Sequence, residues 1–243
     1  MKGMRAAAGR SGLRTKLFAV IITALVISVI LVGVFVLANQ RRLLQTMVAD
    51  SLAAAERVVE NKLLGKAEQA LGISLAVAAM PEIVTAAVDQ DRAAIVDTVV
   101  AIYEQVHAAL GVDVLHVRAP YDTSLVRGQN PSLYGDVQSR GGILDSGSQG
   151  RPLLGFDRGP FGMGMRGWAP IKHGGVVVGT VETNIPFTEE LLQDIHAAAG
   201  VELAVFVPSD GGYSLLTATP GVKAVSELQQ LVPGAEAERA GGN

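Results

Sequence analysis

The sequence predicts an α+β protein in which a single N-terminal transmembrane helix continues into a long helix packed on an antiparallel β-sheet. Residues 17–38 are apolar and carry no charge. Residues 39–80 contain no proline and repeat apolar side chains at three- and four-residue steps, as one face of a helix does. Beyond residue 112, short alternating segments follow one another across tight turns, which is typical of an antiparallel sheet.

The apolar segment is long enough to cross a membrane. Residues 17–38 span roughly 33 Å as a helix, whereas the hydrocarbon core of a bilayer is about 30 Å thick. A cleaved signal peptide has a shorter apolar stretch, and a buried helix of a soluble protein is seldom apolar on every side. We therefore expect an uncleaved membrane anchor.

Charges on either side of this segment predict its orientation. Five basic residues and no acidic residue precede it, and Arg41 and Arg42 follow it. The positive-inside rule then places residues 1–16 in the cytoplasm, with the anchor in the inner (cell) membrane and the main domain periplasmic or extracellular. All 23 acidic residues but only 15 of the 20 basic residues lie beyond the anchor, a formal charge of −8. Nucleic acid is therefore not an expected partner.

Residues 39–111 are expected to form the long helix, a short helix over residues 81–88 and a further helix ending before Gly111. Pro81 suits a first helical turn, Asp89 and Asp91 are candidate N-caps, and Gly111 suits a C-terminal cap. The long helix carries two apolar rows: Leu44, Val48, Leu52, Ala55, Val59, Leu63 and Ala67, and beside them Leu43, Met47, Ala54 and Val58. Two rows predict a homodimer along this helix, or else both belong to the intrachain core.

Residues 112–207 are expected to form a five- or six-stranded sheet. The predicted strands are residues 112–118, 123–127, 152–157, 161–172, 176–185 and 201–207, and residues 213–217 are a further segment that could pair back. A helix should begin after the N-cap Thr188 and end at Gly200. Residues 128–150 are predicted as a loop with at most one weak helical turn near residues 142–146. Residues 208–243 are a tail or the start of a membrane-proximal segment, and residues 233–243 have a disordered composition.

Candidate binding residues concentrate on one face of the predicted sheet. Alternation places Arg166 and Trp168 on the same side of their strand, and His116 and Arg118 on one side of theirs. Arginine holds carboxylate or phosphate in a planar fork, and tryptophan supplies a wall, so a small-anion pocket is one interpretation. The other is an ordinary solvated strand face with a salt bridge from Arg166 to Glu182.

Catalytic and metal-binding signals are poor. The sequence has no nucleophile–base motif, no cysteine, and four histidines without metal-ligand spacing. We therefore expect neither an enzyme nor a cofactor nor a metal site.

Short motifs in a fixed order extend this picture. They are LRTKLF at residues 13–18, LHV at 115–117, SLVR at 124–127, NP at 130–131, YGD at 134–136, GMGMRGWAP at 162–170 and GTVE at 179–182. In these the chain resembles the extracytoplasmic Cache sensor domains of bacterial methyl-accepting chemotaxis proteins. The resemblance implies a PAS-like sheet against the long helix, with residues 112–207 as the ligand-binding domain. It also implies homodimerisation and a small ligand, often an organic acid or an amino acid.

Roles for seven residues follow as predictions. Arg166, Arg127 and His116 would supply positive or donor groups, with Arg118 beside them. Tyr134 and Trp168 would form walls, and Glu182 would orient Arg166 or take a ligand amine. The function expected is that of a transmembrane chemoreceptor's sensory region. The alternatives are the sensor region of a histidine kinase or cyclic-dinucleotide enzyme, or a ligand-free dimerisation module.

Overall fold

The computed structural model describes residues 12–138, 141–159, 162–209 and 212–222. Its helices are α1 Leu13–Ala78, α2 Pro81–Asp89, α3 Val96–Leu110, α4 Gly141–Gln149 and α5 Glu189–Ala199. Its strands are β1 Val114–Arg118, β2 Ser124–Arg127, β3 Leu153–Gly159, β4 Gly162–His173, β5 Val176–Pro186, β6 Ala204–Ser209 and β7 Gly212–Ala218. The chain divides into two compact units, Met1–Ala54 and Ala55–Asn243.

The first unit contains the apolar N-terminal part of α1. Large apolar side chains from Leu17 to Leu37 are exposed. Exposing such an apolar surface to water over several helical turns is unfavourable, whereas exposing it to lipid is not. By length and composition this helix could cross a membrane, and it fits a single-pass membrane protein.

The second unit is built on a five-stranded antiparallel sheet in the order β2-β1-β5-β4-β3. The end of α1, together with α2 and α3, packs on one face of this sheet through a core that includes Val77, Ile83, Val99, Val117 and Ile171. The predicted α+β fold is confirmed.

Close approach of α1 to the sheet depends on Gly167. A Cβ atom at this position would lie 2.2 Å from the backbone nitrogen of Leu71, so no larger residue fits. The nearby Ser74 hydroxyl donates to the Gly167 carbonyl and lies 2.9 Å from the hydroxyl of Thr183. These contacts fix the height of α1 above β4 and β5.

Several local predictions are confirmed. The β4–β5 hairpin turns at Gly174 and Gly175, which both have positive φ, as primed two-residue turns require. Helix α5 begins after Thr188, whose side chain accepts a hydrogen bond from the Leu191 amide, and ends at Gly200 in the left-handed conformation. Gly111 likewise ends α3.

The loop predicted over residues 128–150 is wrong in its second half, where α4 forms a nine-residue helix. Its glycines lower helix propensity, but they let the helix lie directly on the sheet, and Ile143, Ser146 and Gly147 are buried there. Packing therefore overrides propensity at this site.

Two boundary predictions also differ from the structure. Helix α3 begins at Val96 rather than after Asp91, which instead accepts a hydrogen bond from the Ala94 amide in the preceding turn. Strands β6 and β7 pair as a separate two-stranded sheet and do not extend the main one. Strand β6 of this hairpin runs across residue 207, where the ligand-binding domain was predicted to end. The domain limits remain a prediction. Residues 233–243 lie outside the described residues.

The two apolar rows predicted on α1 have different environments along the helix. Ala55 and Ala67 are buried, whereas Leu44, Val48 and Leu52 are exposed. The intrachain core therefore covers part of the first row only.

Candidate functional site

The sheet face opposite the helical core carries a polar row that crosses four strands. In the strand register Arg127 pairs with His116, His116 with Glu182, and Glu182 with Trp168. Partners directly opposite in antiparallel strands share a face. Beside this row, the same register places Arg118 next to Thr180, and Arg166 next to Asn184. The structure thus brings onto one face the six predicted residues that lie on strands.

Three of these side chains form a buried ionic cluster. Arg166 Nη1 lies 2.5 Å from one carboxylate oxygen of Glu182, and Arg118 Nη2 contacts the other. Each of the three side chains is at most 1 % exposed. The salt bridge from Arg166 to Glu182 is present, but the face is not solvated. We name Arg118, Arg166 and Glu182 the arginine cluster.

His116 extends the cluster toward β2. Its Nε2 lies 2.8 Å from Ser124 Oγ, and its Nδ1 lies 2.8 Å from Arg118 Nη2. A guanidinium can only donate, so His116 Nδ1 accepts and the ring proton sits on Nε2, from which it donates to Ser124.

Two buried donors without a partner belong to the cluster or to the neighbouring strand position. Among the described residues, Arg166 Nη2 and Trp168 Nε1 are both buried and have no hydrogen-bond partner. Leaving a buried donor unsatisfied costs about 1–3 kcal/mol. A polar ligand that accepted both hydrogen bonds would recover this free energy.

Helix α4 covers this face. Gly142 lies against the Trp168 indole so closely that a Cβ atom would be 2.6 Å from the ring. Gly147 lies against Tyr121 in the same way, and the Tyr121 carbonyl accepts a hydrogen bond from Thr180. The arginine cluster is therefore closed off from solvent by a helix that rests on aromatic rings.

The segment after β2 is held by two other arginines. Arg127 donates to both carboxylate oxygens of Asp136, at 2.8 and 2.7 Å, and to the carbonyl of Leu133. These hydrogen bonds lower the pKa of Asp136 to about 2. Arg92 lies 4.3 Å above the ring centre of Tyr134, which is 59 % exposed. The structure therefore places Tyr134 on the surface, whereas the cluster is buried. It pairs Arg127 with Asp136, to which Gln138 also donates at 3.4 Å.

Sequence reasoning missed several neighbours of the cluster. Gln138 accepts from Arg118 at 2.9 Å, and the Asn184 amide donates to Asp113 at 2.6 Å. Burial is the main cause that raises the pKa of Asp113. Strand alternation already placed Asn184 on the face of Glu182, so that residue could have been found. Nothing in the sequence pointed to Gln138.

A five-stranded antiparallel sheet with a long N-terminal helix on one face and a covered polar face on the other is the PAS-like fold of extracytoplasmic Cache sensor domains. Residues 45–232 match the model of the dCache_3 family, described as the double sensory domain of two-component sensor kinase. The chain belongs to this family, whose members are sensory domains. A comparison with curated proteins gave no significant match.

Several solved sensor and ligand-binding domains are similar to this chain at low sequence identity. The sensor domain of the histidine kinase DctB from V. cholerae is 13 % identical, with 77 % of this chain and 75 % of that chain covered and a TM-score of 0.53. The sensor domain of E. coli DcuS is 20 % identical, over 56 % of this chain and 98 % of that one, at a TM-score of 0.46. The ligand-binding domain of the Campylobacter jejuni chemoreceptor Tlp3, solved with 4-methylisoleucine, is 12 % identical, over 72 % of each chain, at 0.45.

Proposed function

We propose that this chain is the membrane-anchored sensory region of a receptor that binds a small anion beneath α4 and signals across the membrane. The observation that carries the proposal is the pair of buried, unpartnered donors on Arg166 and Trp168 next to the arginine cluster. Burying charged and polar groups without full pairing is costly, so such a face is expected where a ligand completes it.

An organic acid or an amino acid fits this face. A carboxylate accepts two parallel hydrogen bonds from a guanidinium, and Arg166 has an unused Nη2. The indole nitrogen of Trp168 can donate to the same ligand. Binding would favour one arrangement of sheet and helices over another, and that shift in population is the signal.

Calorimetry on the full chain in detergent micelles, with a panel of small carboxylic acids and amino acids, tests this proposal. We expect Arg166→Ala to abolish binding because it removes the fork. Arg158→Ala is the matched control, since Arg158 is exposed on β3. Equal binding by the Arg166 variant and the control would remove Arg166 from the site.

We propose a two-component output, because the family is described by the sensory domains of two-component sensor kinases. Chemotaxis is the second candidate, and the likeness of the GMGMRGWAP segment to chemoreceptor Cache domains supports it. The reading frame that follows residue 243 in the gene distinguishes them. A histidine kinase module there would support the first, and a methyl-accepting module the second.

We also propose that the N-terminus is cytoplasmic and the sensory unit extracytoplasmic. The chain has no cysteine, so single cysteines label cleanly. In intact cells a membrane-impermeant maleimide should label Ser51→Cys, beyond the anchor, and leave Ser11→Cys unlabelled. The reverse pattern would invert the topology.

Exposed apolar side chains on α1 support a homodimer. Leu44, Val48 and Leu52 recur at four-residue steps and are exposed. If two copies pair along this row, Val48→Cys should form an intermolecular disulfide in membranes. Asp50→Cys, on the opposite side of the helix, is the control. Equal cross-linking at both positions would argue against this interface.

A further inference from the structure

The carboxylate of Glu182 occupies the arginine donors next to those that a ligand carboxylate would use. Each of its two oxygens contacts a different arginine, Arg118 on one side and Arg166 on the other. Such a bridge is the hydrogen-bonding arrangement by which arginines recognise an anion. We propose that Glu182 is a built-in competitor of the ligand, which sets the affinity of the site for anions. This inference rests on the proposed function, that an anion binds at this face.

The position of the unpartnered donors supports competition rather than simple pairing. The buried donors without a partner include Arg166 Nε, Arg166 Nη2 and Trp168 Nε1. They belong to a residue that contacts Glu182 and to the residue opposite Glu182 in the strand register. An anion held by Arg166 Nη2 would lie within a few ångströms of the Glu182 carboxylate, because both would contact the same guanidinium group. Like charges at that separation in a buried site repel strongly. The Glu182 charge therefore weakens anion binding at these donors, although two guanidinium groups against one carboxylate leave the cluster positive.

Other carboxylates do not take over this role. Asp157 Oδ2 lies 3.9 Å from Arg166 Nε, but its side chain is 38 % exposed and so is screened by water. Asp136 is engaged by Arg127. Glu182 is the fully buried carboxylate that contacts both arginines, and its charge is the one that opposes an incoming anion most directly.

The opposite role for Glu182 predicts the opposite result. If Glu182 bound an amine of the ligand, removing its charge would weaken the binding of amino acids. If Glu182 only held the arginines in place, removing its charge would weaken all binding. Competition alone predicts that an anion without an amine binds more tightly once the charge is gone.

The test is a titration of the full chain in detergent micelles with acetate and with glycine. Trp168 is the single tryptophan of the chain, so its fluorescence reports on this site. We expect Glu182→Gln to bind acetate about tenfold or more tightly than the wild type, since a neighbouring unit charge at an effective dielectric of about 20 has at least this effect. Glu190→Gln removes an exposed charge on α5 and should leave the affinity unchanged.

Each result supports or overturns the inference. Unchanged or weaker acetate binding by Glu182→Gln overturns it, and weaker glycine binding alone would assign Glu182 to an amine. Suppose that wild type binds an acid of the panel, Arg166→Ala does not, and Glu182→Gln has no higher affinity than wild type. Then the role of Glu182 as a competitor fails, while the proposed function stands. If neither wild type nor Glu182→Gln binds any acid, the proposed function fails too. Should Glu182→Gln not fold, Glu182→Asp, too short to bridge both arginines, must still bind acetate more tightly than wild type.

Discussion

Replacing Gly142 by alanine tests whether α4 rests directly on the Trp168 indole. The added Cβ atom would lie 2.6–2.7 Å from three ring carbons. Carbon atoms in contact need about 3.5–4.0 Å, so the helix or the ring must move by about 1 Å. Overpacking of this kind costs about 1–3 kcal/mol of folding free energy. Higher helix propensity returns about 0.5–1 kcal/mol.

Gly141→Ala separates these two effects. It lies in the same helix and gains the same propensity, but a Cβ atom there meets nothing within 4 Å. Since 1 kcal/mol shifts the melting temperature by about 2–4 °C in a domain of this size, Gly142→Ala should melt roughly 2–12 °C below Gly141→Ala. Its tryptophan emission should shift as well. Equal melting temperatures and identical emission spectra would refute the packing of α4 on Trp168.

Two further predictions concern the sheet and its loop. Gly167→Ala should destabilise the protein by about 1–3 kcal/mol, because its Cβ atom would meet the backbone of Leu71. Gly155→Ala is the control, because its Cβ atom would have its nearest contact at 3.8 Å and should not destabilise the protein. Equal melting temperatures of the two variants would contradict the prediction. The pKa of Asp136 is lowered to about 2 by Arg127, so its contribution is present above pH 4 and is lost as the pH falls toward 2. Asp136→Asn should therefore have a lower melting temperature than wild type at pH 7. Its free energy of unfolding should fall by no more than about 1 kcal/mol, since the pair is half-exposed, and the difference should shrink on acidification. A pH-independent difference would point to another cause.

The sheet could be predicted because its signals are local. Strand alternation assigned Arg166 and Trp168 to one face, and adjacent glycines at 174 and 175 marked the hairpin turn. The short turn sets the register only as far as Lys172 opposite Val177, because a bulge between Ile171 and Lys172 shifts it and brings Trp168 opposite Glu182. Each of these signals lies within a few residues of the element that it specifies.

Helix α4 could not be predicted because its stability is not local. Gly141, Gly142 and Gly147 all disfavour a helix in isolation. They are tolerated because two of them lie against the rings of Trp168 and Tyr121, residues that are distant in sequence. The same helix buries the salt bridge from Arg166 to Glu182, so the choice between a solvated face and a closed site also depended on it.

Tyr134 shows a related limit. It lies close to Asp136 and Arg127 in the sequence, and a position near the binding face was a reasonable expectation. Arg92, more than forty residues earlier, instead lies over its ring. Long-range cation–π contacts leave no pattern in a single sequence.

Ser74 has a consequence for how the two faces of the sheet communicate. Its hydroxyl holds the carbonyl of Gly167 and the side chain of Thr183, each of which immediately follows a member of the arginine cluster, Arg166 or Glu182. Successive residues of a strand point to opposite sides, so one peptide unit separates the arginine cluster from the helix contact. A change of less than an ångström in either strand would therefore reach α1 directly through the hydrogen bonds of Ser74.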